Sequence, residues 1–176
     1  FFPPNNREHI EWINVVGQTL RPGNTSALNV AEANKVLEVL EEIFQLYRDQ
    51  QPTIGIVTPF AAQKQHITEA LSQQYDEELI RSHLLLANTA HQFQGDERDI
   101  VIFSPVISSG ASPTTIGFLR STSNLFNVSI TRARSILWVV GDKNACVNAG
   151  IPFLRNFVEY ISNRHYHTLD IPRSEF

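Results

Sequence analysis

The chain has 176 residues, 42% of them hydrophobic and 18% charged, with a formal net charge of −4. That is ample apolar material to offset chain entropy in one globular domain, which excludes a disordered segment and leaves little room for a second core. The pI near 5.8 argues against a broad basic face coating nucleic acid, and no apolar run is long enough to span a membrane. No secretory leader pattern opens the chain. The single cysteine, Cys146, has no partner for an internal disulfide, so an intracellular protein is expected. The sequence contains no methionine, even at position 1, which fits a piece of a longer polypeptide.

In chain order, residues 1–9 are expected to be irregular. Ile10 to Val16 is apolar and β-branched, a first strand, and a Gly/Pro/Asn/Ser loop follows to Leu28. Asn29 with Glu32 three residues on marks a helix start of the capping-box kind. Ala33, Val36, Leu37, Leu40, Ile43, Phe44 and Tyr47 then recur at helical spacing. Thr53 to Thr58 is a continuous apolar strand ended by Pro59, and a helix through Gln73 buries Ile67, Ala70 and Leu71. Leu84 to Thr89 and Ile100 to Phe103 are further strands, and Ser108 to Thr115 is a loop by composition. A helix from Ser123 to Arg134 feeds a strand from Ile136 to Val140 that Gly141 stops. Phe153 to Ile161 is a last helix, and 164–176 reads as an irregular tail. Strands apolar on both faces belong in a covered, mainly parallel sheet, so the fold class is a three-layer α/β domain over 10–163. Ligands of such sheets collect beyond the carboxyl ends of the strands, here at Thr58-Pro59-Phe60, Thr89-Ala90-His91 and Ser104-Pro105.

Charge is segregated: no acid lies between Asp99 and Asp142, where Arg120, Arg132 and Arg134 fall. This pattern points to a confined anion site. Three motifs carry candidate chemistry. In Gly55-Ile-Val-Thr-Pro-Phe-Ala-Ala-Gln63, a strand delivers the Thr58 hydroxyl, Pro59 ends the ladder and Gln63 sits one turn into a helix. Both polar groups suit a sugar–phosphate backbone, or else an ordinary strand end and helix cap. In Asn88-Thr-Ala-His-Gln-Phe-Gln-Gly-Asp-Glu-Arg-Asp99, Gly95 permits close backbone approach to a ligand. Glu97 suits a ribose hydroxyl or a water beside a phosphate. In Leu125-Phe-Asn-Val-Ser-Ile-Thr-Arg-Ala-Arg134, two guanidinium groups stand at a helix end, the fork-shaped donors that match phosphate. A surface ion pair is the simpler reading for Arg134. A metal-dependent nuclease built on Asp96, Glu97 and Asp99 lacks a further acid until Asp142, and no Gly-x-Gly-x-x-Gly is present for a dinucleotide. No metal site is expected, and His165 and His167, without nearby cysteines, read as tail residues.

Taken in order, the three motifs resemble the second, RecA-like domain of superfamily 1 helicases, in the branch containing the nonsense-mediated-decay helicase and senataxin. The Phe118-Leu119 pair and Asn29 followed by Glu32-Ala33 match as well, and the likeness covers about residues 10 to 162. It implies an ATP-dependent nucleic-acid helicase or translocase. There ATP and Mg2+ are bound mainly by a first RecA-like domain of the same polypeptide, whose Gly-x-x-x-x-Gly-Lys-Ser/Thr loop is absent here. By this likeness Arg132 is the arginine finger, Gly95, Glu97, Arg132 and Arg134 face ATP, and Thr58, Pro59, Gln63, Thr89 and His91 line a track for single-stranded DNA or RNA. A half-motor of this kind is expected to be inactive alone. The alternative is a degenerate motor kept as a non-enzymatic interaction module.

Overall fold

The computed structural model describes residues 9–93 and 96–169, without the side chains of Leu125, Val128, Ser129 and residues 164–169. Among the described residues five strands form one sheet in the order β1-β5-β4-β2-β3, and every pairing is parallel. They are β1 (Ile10–Asn14), β2 (Ile54–Thr58), β3 (Leu86–Thr89), β4 (Arg98–Phe103) and β5 (Ala133–Gly141). Among the described residues seven helices accompany them: α1 (Val30–Leu46), α2 (Ala61–Gln74), α3 (Glu77–Ser82), α4 (Pro113–Ser121), α5 (Ser123–Ile130), α6 (Lys143–Asn148) and α7 (Pro152–Leu169). A 3-10 turn, Pro22–Asn24, lies in the loop before α1.

The strand residues alternate between two cores, as the pleat requires. Ile54, Ile56, Ile100, Ile102, Ile136, Trp138 and Val140 face α1 and α2. Val57, Val101, Phe103, Leu137 and Val139 face the opposite way, toward Phe126 on α5 and Leu154, Val158 and Ile161 on α7. This gives the three-layer α/β architecture that the apolar strands call for. The layering also follows from chain direction. The crossovers from β1 to β2 and from β2 to β3 advance across the sheet on the α1/α2 face. After β3 the direction reverses, so crossovers of the same hand must use the other face.

The first reversing crossover is unusually short. Parallel neighbours are generally joined by a dozen or more residues, most often a helix, yet residues 90–97 carry the chain from β3 over β2 to β4. Phe93, fully buried in this segment, lies over Gly55, the second residue of β2. A Cβ at position 55 would run into the Phe93 ring, with Cε2 at 2.9 Å and Cζ closer still. The missing side chain is thus the slot through which the crossover passes.

Several elements differ from their sequence expectation. The stretch after Ser108, a loop by composition, becomes helical at Pro113, with Ser112 as N-cap accepting from Thr115 N and Pro113 as first residue. The helix expected to run through Arg134 ends at Ile130, because Ala133 already pairs with Arg98 in the sheet. The short helices α3 and α6 were not anticipated; each opens on an aspartate N-cap, Asp76 and Asp142. Helix α7 continues to Leu169, past the expected end at Ile161, in a stretch with no Gly or Pro to stop it.

Gly55→Ala is expected to destabilise the chain by about 1–3 kcal/mol through overpacking against Phe93. Phe93→Leu vacates the same space, so the double variant should lose less than the sum of the two single losses. Urea unfolding of the four chains measures the coupling, and strictly additive losses would contradict the slot.

Candidate functional site

The sequence-predicted residues fall on two opposite edges of the sheet. At the carboxyl edge, Thr58 and Thr89 are register partners on adjacent strands. Pro59 follows one and His91, exposed, follows the other. Glu97, Arg132 and Arg134 lie at the amino edge, where β4 and β5 begin. The six-residue β4 separates the two sets by roughly 20 Å at about 3.3 Å per residue. The expectation that all polar motifs gather beyond the carboxyl ends therefore holds for one set only. Gly95 lies outside the described residues.

At the carboxyl edge the sheet's direction reverses between β2 and β4, the usual place for a ligand crevice. Here protein groups fill it. Gln63, fully buried, donates from Nε2 to Ser104 Oγ at 3.1 Å and to Asn29 O at 3.2 Å, and its Oε1 accepts from Asn29 N at 2.9 Å. Thr58 is also fully buried, its hydroxyl 3.4 Å from Phe60 N. Neither side chain reaches a surface groove; both shape the edge from beneath, which polarity in the sequence did not reveal. Thr89 and Pro59 do border open space, a cavity of about 280 Å³ shared with His91, Phe60, Phe118 and Arg21. Beside it, the Thr89 hydroxyl donates to Gln92 Oε1 at 3.2 Å, and Lys64 Nζ donates to the same oxygen at 2.8 Å. Lys64 went unnoticed in the sequence although it adjoins Gln63. Its position on the first turn of α2 turns it toward the end of β3.

Behind the crevice sits Glu32. Its backbone N–H donates to the Asn29 side chain, as the cap pattern requires. Its carboxyl does not turn back to the Asn29 N–H, which Gln63 has taken. Instead Oε1 accepts from Ser104 Oγ at 2.5 Å and Val106 N at 2.7 Å, while Oε2 is buried with no partner among the described residues. Val106, a β-branched residue at φ +70°, is held in this strained conformation by that bond and by Thr19 Oγ1 donating to its carbonyl. Burial, reinforced by the nearby Asp142 charge and only partly opposed by the two hydrogen bonds, pushes the Glu32 carboxyl up to about 8. Cys146 is buried beside it, and burial pushes its thiol well up, so it is an unreactive core residue.

The amino edge has a different character. Arg98, mostly buried, anchors it: Nη1 donates to Asp96 Oδ1 at 2.7 Å and to Glu97 O at 3.1 Å, Nε donates to Leu84 O, and the guanidinium lies 5.6 Å from the Phe93 ring centroid. Asp99 accepts from the Thr53 N–H and hydroxyl at 2.8 and 2.7 Å. The three acids of this motif thus face three separate partners, since Glu97 pairs with Arg134 at 3.2 Å. Opposite β4, β5 carries an extra residue between Ala133 and Ile136, a bulge that changes the direction of Arg134 and Ser135. The ion pair at Arg134 is the simple reading of that residue. Arg132 is otherwise placed. Its carbonyl accepts from Arg98 N at 3.1 Å, fixing the backbone, while its Nε is buried with no partner among the described residues. The acid-free run is not one anion site either. Arg120 donates to Gly150 O at 3.1 Å, bridging α4 to the turn before α7.

The described residues thus form an all-parallel α/β sheet with the Arg132 Nε buried and unpartnered among them at one edge and a threonine-bordered cavity at the other, an architecture of the kind used by nucleotide-driven motors. The AAA domain family matches residues 3–144. The chain is 34% identical over 125 residues to Helicase sen1 of Schizosaccharomyces pombe, covering 69% of this chain and 7% of that protein. Against Probable helicase senataxin of Homo sapiens it is 34% identical over 122 residues, 69% of this chain and 4% of that protein. It is 30% identical over 168 residues to Regulator of nonsense transcripts 1 of Dictyostelium discoideum, 93% of this chain and 12% of that protein. The chain belongs to this family and is a superfamily 1 helicase-type motor domain of RecA-like fold, in the branch of these relatives. It spans no more than 12% of the length of these three. No helix among the described residues is long and apolar enough to cross a membrane.

A carboxyl whose folded-state pKa is raised keeps its proton where the unfolded chain has lost it. Stability conferred by neutral Glu32 is therefore fully present below the ordinary carboxyl range, near 4.5, and falls as pH rises toward about 8. Glu32→Gln keeps the acceptor for Ser104 and Val106 and cannot ionise. Between pH 5 and pH 8 the stability of the native chain is expected to fall relative to Glu32→Gln, by on the order of a few kcal/mol. Guanidinium unfolding at the two pH values gives the difference; an unchanged difference would show that Glu32 is ionised in the fold.

Proposed function

We propose that this chain is the second of two motor domains in an ATP-dependent helicase. In this reading the amino edge faces a nucleotide held mainly by a first RecA-like domain, and the carboxyl edge forms part of a track for single-stranded DNA or RNA. Arg132 carries the reading. A buried guanidinium nitrogen without a partner is costly, and a phosphate is the group best shaped to satisfy it. ATP supplies the γ-phosphoryl group whose transfer to water drives the motor, with Mg2+ held by the first domain. Arg132 acts as the finger that stabilises charge developing on that group, a contribution of roughly 10³- to 10⁵-fold in rate in comparable enzymes. Glu97 belongs to the same wall, and Gly95, its neighbour in the motif, is assigned to the nucleotide by the likeness alone; Arg134 steadies Glu97 through their ion pair. Pro59, Thr89, His91 and Lys64 contact the strand from the carboxyl edge, with Thr58 and Gln63 supporting the surface from below. Backbone contacts of this kind are independent of base sequence. The lone buried cysteine fits a site of action inside the cell.

The chain alone is expected to show no ATPase activity, with or without nucleic acid, because no phosphate loop is present. Turnover that follows the protein through two orthogonal columns would overturn the half-motor reading. In the longer protein, Arg132→Ala should abolish hydrolysis while ATP affinity stays within about tenfold, because a finger acts on the transition state. Arg134→Ala should cost much less, and the opposite ranking in steady-state assays would reassign the finger. On the track side, the chain should bind single strands weakly. With two to four phosphates neutralised, the log-log salt slope should be roughly −1.5 to −3, measured by anisotropy.

A further inference from the structure

The cavity at the carboxyl edge is lined by side chains of a kind that phosphate contacts alone do not explain. Phe118 on α4 is 39% exposed, and its ring lies 5.4 Å from that of buried Phe60 at an interplanar angle of 46°. An apolar ring left in water costs free energy unless something covers it. Four separate segments converge here: the loop carrying Arg21, the start of α2 at Phe60, the end of β3 at Thr89 and His91, and α4. In a chain of net charge −4, none of the twelve residues lining this cavity is acidic. Arg21 spends Nη2 on the carbonyls of Asn24 and Thr25, at 3.1 and 2.9 Å. Its Nε and Nη1 make no bond among the described residues, so the guanidinium is held at the rim with donors to spare.

An apolar side chain of a protein partner would use the aromatic floor but not the acid-free, hydroxyl-bearing rim. A nucleotide unit uses both: a flat π-face for the ring, and phosphate oxygens for guanidinium and hydroxyl donors. We propose that this cavity receives one unpaired nucleobase, stacked on Phe118 with Phe60 behind it and the adjoining phosphate directed to Arg21. The proposal rests on the strand track described above and adds to it a base-dependent hold. Every base has a π-face, so the hold is sequence-tolerant. It gives the track a point of grip at which the strand is fixed by a base as well as by its backbone.

The test compares a labelled oligothymidylate with an abasic sugar–phosphate chain of the same length, by anisotropy, on the native chain, Phe118→Ala and Phe118→Tyr. Native protein should bind the base-bearing strand more tightly. Phe118→Ala should lose roughly 5- to 150-fold for that strand, the range for removing one stacked base, and stay nearly unchanged for the abasic one. Phe118→Tyr should restore the preference. Because Phe118 is partly exposed, Ala should fold, and matching melting curves confirm it. If both strands bind and Phe118→Ala weakens them equally or not at all, the stacking site falls while the track stands. In that case the cavity is left for an apolar partner side chain. If neither strand binds native protein, the track and the stacking site fall together.

Discussion

The contact between Phe93 and Gly55 is the constraint on which the placement of both edges depends. Residues 90–97 must cross β2 in eight residues, and a strand position with a Cβ would lift the segment off the sheet. With the slot present, Thr89 stays at the carboxyl edge and Glu97 arrives at the amino edge on one continuous stretch of chain. Arg98 then fixes the arrival: one side chain binds the Asp96 carboxylate, the Glu97 carbonyl and the Leu84 carbonyl, and lies over the Phe93 ring. A lysine could not make this set of contacts, because it lacks the planar fork that reaches several acceptors while stacking on an aromatic face. The amino edge is therefore held by the same few residues that close the crossover.

The carboxyl edge depends on a different device. Glu32, Gln63 and Ser104 occupy the crevice that many parallel sheets leave for a ligand, and they tie α1, α2 and the end of β4 together. Filling the crevice moves the open space sideways, to the cavity between the ends of β2 and β3 and α4. The cost is a buried carboxyl with an orphan oxygen and a valine held at positive φ, each unfavourable by itself. They persist because one proton on Glu32 removes the charge, and because Oε1 accepts from both the Val106 N–H and the Ser104 hydroxyl. The strain and the neutral acid are thus two parts of one arrangement.

The sheet was largely legible in the sequence, because β2, β4 and β5 are continuous apolar runs and a strand buried on both faces has no other composition. The start of α1 was legible for a local reason as well, the Asn29 cap on the Glu32 N–H. Helix α4 was not, since its Ser/Thr/Gly/Pro composition outweighed the Ser112-Pro113 cap signal, and α3 and α6 are too short for periodicity to register. The polar residues were the hardest. Thr58 and Gln63 carry hydrogen-bonding groups that suit a surface, but only the tertiary fold shows that Asn29 and Ser104 take up the Gln63 amide. The split of the motifs between two edges was equally hidden, because it depends on which way the chain crosses the sheet after β3. Motif spacing singled out the candidate residues, and the structure adds where the described ones among them stand.

The acidic pI and a nucleic-acid partner look opposed only while charge is averaged over the molecule. Glu38, Glu41 and Glu42 lie on α1, Glu69 on α2, and Asp76, Glu77 and Glu78 cap and open α3, so these acids belong to the α1–α3 side of the sheet. The segment from β4 to β5, which builds α4 and α5 on the other side, has none. The formal charge also counts Glu32 as ionised; burial, which raises its carboxyl to about 8, favours the neutral form near pH 7 and shifts the charge from −4 toward −3. At physiological ionic strength exposed charges more than about 8 Å apart are largely screened, so the strand proposed for the carboxyl edge would sense mainly the groups beside it. Those are Arg21, Lys64, hydroxyls and an aromatic floor. The local field there is set by residues that attract a phosphate, whatever the sum over the chain.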